Sequence, residues 1–416
     1  MSIQESPATA PDPGITQEEM VASAAALRSQ LVAEQAATEE RRYYSPELHE
    51  AFMRAGFYHL YVPRRYGGQE LDVPTYARVI KEIARGCVST GWCLGLTINH
   101  ALQAGSWWPE SAQDTIFANN DFRGGSVAAP VGIISPTDDG WEINGQVAFA
   151  SGTPYGTHYV GQAILAGTEK TPEPQLMLFV AHRSGWEMLD DWGDLIGLKG
   201  SGSHSIRFDG TRIPKDWAFP GFMIDVDVAG GTPGSRLHRN PLYIGRGMTI
   251  YTLSLAAVTV GGVFNALDAY EELVRTKTTP TPPFGPRVKD PRHHAWFGKA
   301  YTKAKLCEML LDEIADGHME LCRRAYEDPE FDYSYGEDMA LAAVARELMV
   351  MCWEIVNEDL WATMGASAAR DDARMTRVFR DMSVAYAHRN PQMKEMIYGE
   401  IGRWALGEPR VPFGSV

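Results

Sequence analysis

The stretch VAFASGTPYGTHYVG, Val147 to Gly161, ends a strand-like run on Ser151-Gly152 and then places Tyr155, His158 and Tyr159 close by. A serine with a histidine nearby raises nucleophilic catalysis, in which the base takes the hydroxyl proton. The spacing does not support it. No G-x-S-x-G elbow surrounds Ser151, and that motif is what lifts a nucleophile out of a strand-to-helix turn. Ser151 reads instead as a residue closing its own turn or as a fixed hydrogen-bonding wall. His100 follows Asn99 in the largely apolar run STGWCLGLTINHALQ. A neutral imidazole there can take a proton near pH 7, or it can be a satisfied core histidine. His388, shortly before Pro391, reads as a cation at a helix C-terminus or as a donor to a ligand. Arg246 sits among apolar residues and either anchors an acidic substrate group or pairs with a core carboxylate. No H-E-x-x-H run indicates a metal. No G-x-G-x-x-G between strand and helix and no P-loop indicates a nucleotide.

The elements that must position these groups fall into successive regions. Residues 1–15 are polar and Pro-rich and read as a disordered tail without a signal peptide. Residues 16–122 are helical: Thr16 with Glu19 forms a capping box, and Ser45-Pro46 opens a helix that Gly56 stops. Residues 123–228 carry short runs such as GWEINGQVAF, HYVGQAILAG and QLMLFVAH, broken by Gly, Pro and Asp. They predict a small antiparallel sheet or barrel. Residues 229–416 carry long two-faced helical runs that predict an up-down bundle. The most apolar run, Thr249 to Phe264, is too short and interrupted for a membrane span. It reads as a fully buried helix, with a subunit interface as one place to bury it.

A chain of 416 residues with 44% hydrophobic and 22% charged residues can bury two or three packed regions. Its net charge of −15 argues against nucleic-acid phosphates and anionic membranes. The five cysteines are odd in number and lack a C-x-x-C pair, which predicts buried thiols in a reducing, cytoplasmic setting.

In chain order, EIARGCVSTGW, His100, WWPESAQDTIF, FASG, GLKGSGSHSI and His388 in MSVAYAHRNP resemble the acyl-CoA dehydrogenase fold superfamily over residues 16–408. Within it they resemble the oxygenase components of two-component, reduced-flavin-dependent aromatic monooxygenases. The resemblance implies a mainly α fold with a central β domain: an N-terminal helical domain, an antiparallel β-barrel and a C-terminal helical bundle. It implies a reduced flavin, FMNH2 in preference to FADH2, with O2 as co-substrate and no metal. A flavin C4a-hydroperoxide would hydroxylate a small aromatic or heteroaromatic compound. A separate NAD(P)H-dependent reductase would supply the flavin to a homotetramer that uses neither nucleic acid nor membrane.

Carried over residue by residue, Ser151 stands against the flavin N5, His100 beside the substrate hydroxyl as its base, and His388 near the isoalloxazine. Ser126 falls near both flavin and substrate, and Trp92 forms an aromatic wall for the substrate ring. Phe149 and Gly152 flank Ser151 on the cofactor side. Lys199, Gly200 and Ser201 line the flavin side chain and phosphate, and Arg246 joins the substrate group. Two departures turn the reading away from acyl-CoA oxidation. AYAHRNPQ stands where many dehydrogenases carry the catalytic glutamate, and TKTTPTPP separates Arg275 from Phe284-Gly285. The alternatives are an acyl-CoA dehydrogenase-like FAD desaturase and an N- or S-oxygenating relative on the same fold.

Overall fold

The computed structural model describes residues 14–167, 173–223, 226–328, 330–388 and 390–410. The expected tail lies outside them except for Gly14 and Ile15. Among the described residues six helices come first: α1 (Gln17–Ala26), α2 (Arg28–Arg41), α3 (Pro46–Arg54), α4 (Val73–Gly86), α5 (Val88–Trp107) and α6 (Glu110–Ile116). Their starts follow the capping chemistry. Thr16 and Glu19 form the capping box, and the Ser45 hydroxyl accepts the Leu48 N–H. Between α4 and α5, Cys87 turns extended and breaks what would be one long helix.

Among the described residues seven strands follow: β1 (Gly124–Pro136), β2 (Gly140–Val147), β3 (His158–Leu165), β4 (Gln175–His182), β5 (Glu187–Met188), β6 (Ile206–Pro214) and β7 (Ala218–Pro220). They form one sheet in the order β5-β6-β2-β1-β3-β4-β7. The expected antiparallel barrel is corrected here. Among the described residues the sheet is open, its edges are the short strands β5 and β7, and β1 pairs with β3 in parallel, Gly124 opposite His158. Short edges limit the row of unpaired backbone groups, so closure is not needed to protect them. Alternation in sequence reports which face a residue takes, but neither strand direction nor closure.

The chain ends in helices α7 (Pro233–His238), α8 (Gly247–Thr276), α9 (Pro291–Glu327), α10 (Tyr335–Glu354), α11 (Ala362–Met364), α12 (Arg374–Ala387) and α13 (Asn390–Leu406). A π-helical segment, Ile355–Trp361, links α10 to α11. Helix α8 is long and apolar enough to cross a membrane, yet 94% of its most apolar window is buried inside the chain. It packs on α4, α9 and α10. A Cβ on Gly261 would lie 2.4 Å from Lys81 O, so α4 presses directly on its backbone. The chain's own helices therefore bury it, in place of a subunit interface. Its N-terminus is capped from another element: Asp338 on α10 accepts the N–H groups of Met248 at 3.2 Å and Thr249 at 2.9 Å.

One buried carboxylate ties three regions together. Asp381 on α12 accepts the Leu198 N–H at 2.7 Å and the Ser89 hydroxyl of α5 at 3.0 Å. Burial raises its pKa to about 6, against those hydrogen bonds. A carboxyl raised from 3.8 to about 6 binds more protons folded than unfolded between those values, so its contribution to stability falls as pH rises through the window. Two units correspond to about 3 kcal/mol. Asp381→Asn keeps an acceptor for Leu198 and removes the charge. Thermal unfolding of both proteins at pH 5 and pH 7 should therefore show the wild type gaining on the variant at pH 5. An equal gap at both pH values would contradict the assignment.

Candidate active site

Three glycines let α5, the start of β1 and the segment after β2 approach closely. A Cβ on Gly124 would lie 2.7 Å from His100 Cβ, one on Gly125 2.7 Å from Thr153 Cγ2, and one on Gly152 2.6 Å from Thr97 Oγ1. Gly152 also has φ +81, which a glycine adopts without strain. Ser126 and Ser151 face each other across a single antiparallel bridge, with the Ser126 N–H donated to Ser151 O at 3.2 Å.

The cleft so formed is lined by Leu96, Asn99, His100 and Gln103 of α5, Ser126, Val127 and Ala128 of β1, Tyr251 and Leu255 of α8, and by Phe149, Ser151, Met223 and His388. Its empty space is about 500 Å3 when the part open to solvent is counted. Among the described residues no carboxylate lines it.

Ser151 ends a chain of hydrogen bonds. Trp92 Nε1–H donates to Ser151 Oγ at 3.1 Å. Ser151 and Ser203 hydroxyls lie 2.7 Å apart, and those of Ser203 and Ser201 2.8 Å apart. A hydroxyl has one proton and two acceptor sites. If Ser203 donates to Ser151, both acceptor sites of Ser151 are filled and its proton must point into the cleft. His158 is not part of this chain. It stacks on Phe122 at 4.9 Å, bonds to Thr157, and is held to a pKa of about 3 by burial, with His182 and Arg123 adding to the effect.

His100 Nδ1 lies 2.9 Å from Gly124 O. A carbonyl only accepts, so Nδ1 carries the proton and Nε2 keeps its lone pair. Burial lowers its pKa to about 4, opposed by the backbone hydrogen bonds, so the ring is neutral at pH 7. His388 caps the end of α12, and its ring meets Trp92 edge-on at 5.1 Å. Trp92 thus stands behind Ser151 and beside His388.

Ser126, Ser151, His100, His388 and Phe149 all reach the cleft. Phe149 does so at its mouth, 55% exposed, with φ +64 and its ring edge-on to Trp192. The Leu198–Ser203 loop divides its residues, because Leu198 and Gly202 are left-handed. Ser201 joins the serine chain, while Gly200 packs against Thr38 and Ser89. Lys199 opens on a second cleft with Glu39, Arg42, Asp190, Asp191 and Asp194, where carboxylates outnumber cations. Arg246 donates to Tyr333 O at 2.6 Å and Val226 O at 3.4 Å. It borders a smaller pocket with Trp107 and His318 that meets the main cleft at Gln103.

Sequence reasoning missed Asn99, Gln103 and Ser203. The signal for the first two was a polar pair four residues apart in an otherwise apolar helix. The buried Ser126 Oγ, Asn99 Oδ1 and Gln103 Oε1 have no hydrogen-bond partner within the described chain. Such groups are expected to be satisfied. With the cleft beside them and the Ser151 hydroxyl, they fit a flavin and a small ring. Among the described residues no group of three His, Cys, Asp or Glu side chains is placed to hold a metal ion.

The acyl-CoA dehydrogenase N-terminal domain family matches residues 15–106, and its C-terminal domain family matches residues 253–392. The pigment production hydroxylase of Rhodococcus sp. is 26% identical over 89% of this chain and 92% of its own length. The oxygenase subunit HsaA, a flavin-dependent monooxygenase of Rhodococcus jostii, is 24% identical over 87% of this chain and 92% of its own. The solved structure of XiaF from Streptomyces sp. with FADH2 and glycerol superposes with a TM-score of 0.83 at 20% identity, covering 95% of this chain and 97% of that one. With both domain families matched and oxygenase components as its relatives, the chain belongs to the acyl-CoA dehydrogenase fold family, on its flavin-dependent monooxygenase side.

Proposed function

We propose that this chain is the oxygenase component of a two-component monooxygenase that hydroxylates a small aromatic or heteroaromatic compound. The observation that carries the reading is one cleft holding a neutral His100 with a free Nε2 lone pair opposite the Ser151 hydroxyl, which is bonded to Trp92 Nε1–H and to the Ser203 hydroxyl. Reduced flavin, when bound, supplies the electrons that activate O2. Ser151 and Ser126 would hold it, with His388 and Trp92 beside them. His100 Nε2 would take the hydrogen bond, and then the proton, of a ring hydroxyl. Leu96, Val127, Ala128, Met223 and Leu255 would keep water out. Among the described residues the cleft lining offers no carboxylate as the base that acyl-CoA desaturation needs.

FMNH2 is the preferred flavin and FADH2 the second choice. Arg275 is engaged with Glu271 at 2.7 Å, and Phe284 is exposed, which supports the absence of the usual FAD grip. A separate NAD(P)H-dependent reductase would deliver it. Exposed Tyr301, Leu306 and Met309 on α9 support the expected homotetramer.

Purified chain given chemically reduced FMN or FAD, O2 and a panel of phenols and indoles should yield products heavier by one oxygen. Hydrogen peroxide as the only product for every ring would sink the reading. His100→Ala should slow product formation roughly 100-fold or more. With the histidine pKa at about 4, the wild-type rate should show no inflection at the ordinary histidine value. Ser151→Ala should divert electrons from product to peroxide, measured as the peroxide share of O2 consumed.

A further inference from the structure

Helix α5 works as a ruler along the site. Trp92, which meets Ser151 and His388, lies at one end, and Gln103, which borders the next pocket, lies at the other. Eleven residues separate them, roughly 16 Å of helix at about 1.5 Å per residue. Between them Leu96, Asn99, His100 and Gln103 share about 100° of helix arc and turn one face to the cleft. The end near Trp92 is the place for the flavin, so the stretch from Asn99 to Gln103 faces what the flavin leaves open.

That stretch presents acceptors. Asn99 is 2% exposed and Gln103 4% exposed, and neither carbonyl oxygen has a partner within the described chain. His100 Nε2 is a third acceptor, because Nδ1–H is spent on Gly124 O. A buried acceptor left unsatisfied is costly, and a ligand that supplies a proton recovers that cost. A ring with one hydroxyl can serve His100 alone. The two amide oxygens call for another donor.

We propose that the substrate is an aromatic ring carrying at least two hydrogen-bond donors, hydroxyl or ring N–H, one received by His100 and another by Gln103 with Asn99, which makes Gln103 and Asn99 specificity-determining residues. The proposal rests on the oxygenase reading for placing the flavin at the Trp92 end and for calling the ring a substrate. A site built to bind a hydroxyl rejects the analogue that lacks it, since its own polar groups then stay unpaired.

The test is equilibrium binding of phenol, catechol, resorcinol and hydroquinone to the full chain by titration calorimetry, without turnover. At least one dihydroxybenzene should bind about tenfold or more tighter than phenol. Gln103→Met and Asn99→Leu, which keep size and remove the acceptor, should bring that ring to within about threefold of phenol. Equal binding of all four rings by the wild type would overturn the proposal and leave the amides to ordered water. So would variants that keep the preference. The wild-type comparison stands even if a variant fails to fold. A donor preference without oxygenated product retires the oxygenase reading alone. Product from rings bound without preference retires this proposal alone.

Discussion

The site depends on a distance of closest approach. Helix α5 meets β1 and the segment after β2 with no room for a single added carbon at Gly124, Gly125 or Gly152. Protein interiors are close-packed, so a contact of this kind cannot relax by a small adjustment elsewhere. Because the segments come this close, His100 reaches Gly124 O, Thr97 donates to Gly152 O, and Trp92 reaches Ser151.

Within that frame the polar groups are arranged by what water would otherwise do for them. A neutral imidazole and two amide oxygens are tolerable on an apolar helix face only if partners exist. His100 has one of its partners in the chain, and Asn99 and Gln103, which line the cleft, have side-chain oxygens with no partner within the described chain. The burial that makes His100 a poor base in the empty protein also keeps it unprotonated across neutral pH. A phenolate formed beside it would raise its basicity through their mutual attraction.

Much of this was legible in the residues. Capping boxes, Pro-led helix starts and period-two runs located the helical and strand regions, because those signals are local. The motifs around Trp92, Ser126, Ser151 and His388 pointed to side chains that do meet. What sequence could not give was long-range. The parallel pairing of β1 with β3 arises from chain crossing at a sheet end, and no local pattern encodes it. The GLKGSGS loop was read as one lining segment, yet two left-handed turns send Lys199 and Ser201 to different clefts. Arg246 is spent largely on backbone carbonyls, which no residue pattern announces. Asn99 and Gln103 were visible as letters, but burial without a partner is a property of three dimensions.

The bond from Ser89 to Asp381 spans 292 residues of chain. At translation rates of about 5–20 residues per second, roughly 15 to 60 seconds pass between the emergence of its two ends. During that interval α5 exists without the α12 surface that it meets in the folded chain. The earliest segment of the site to be made is thus among the last to be completed.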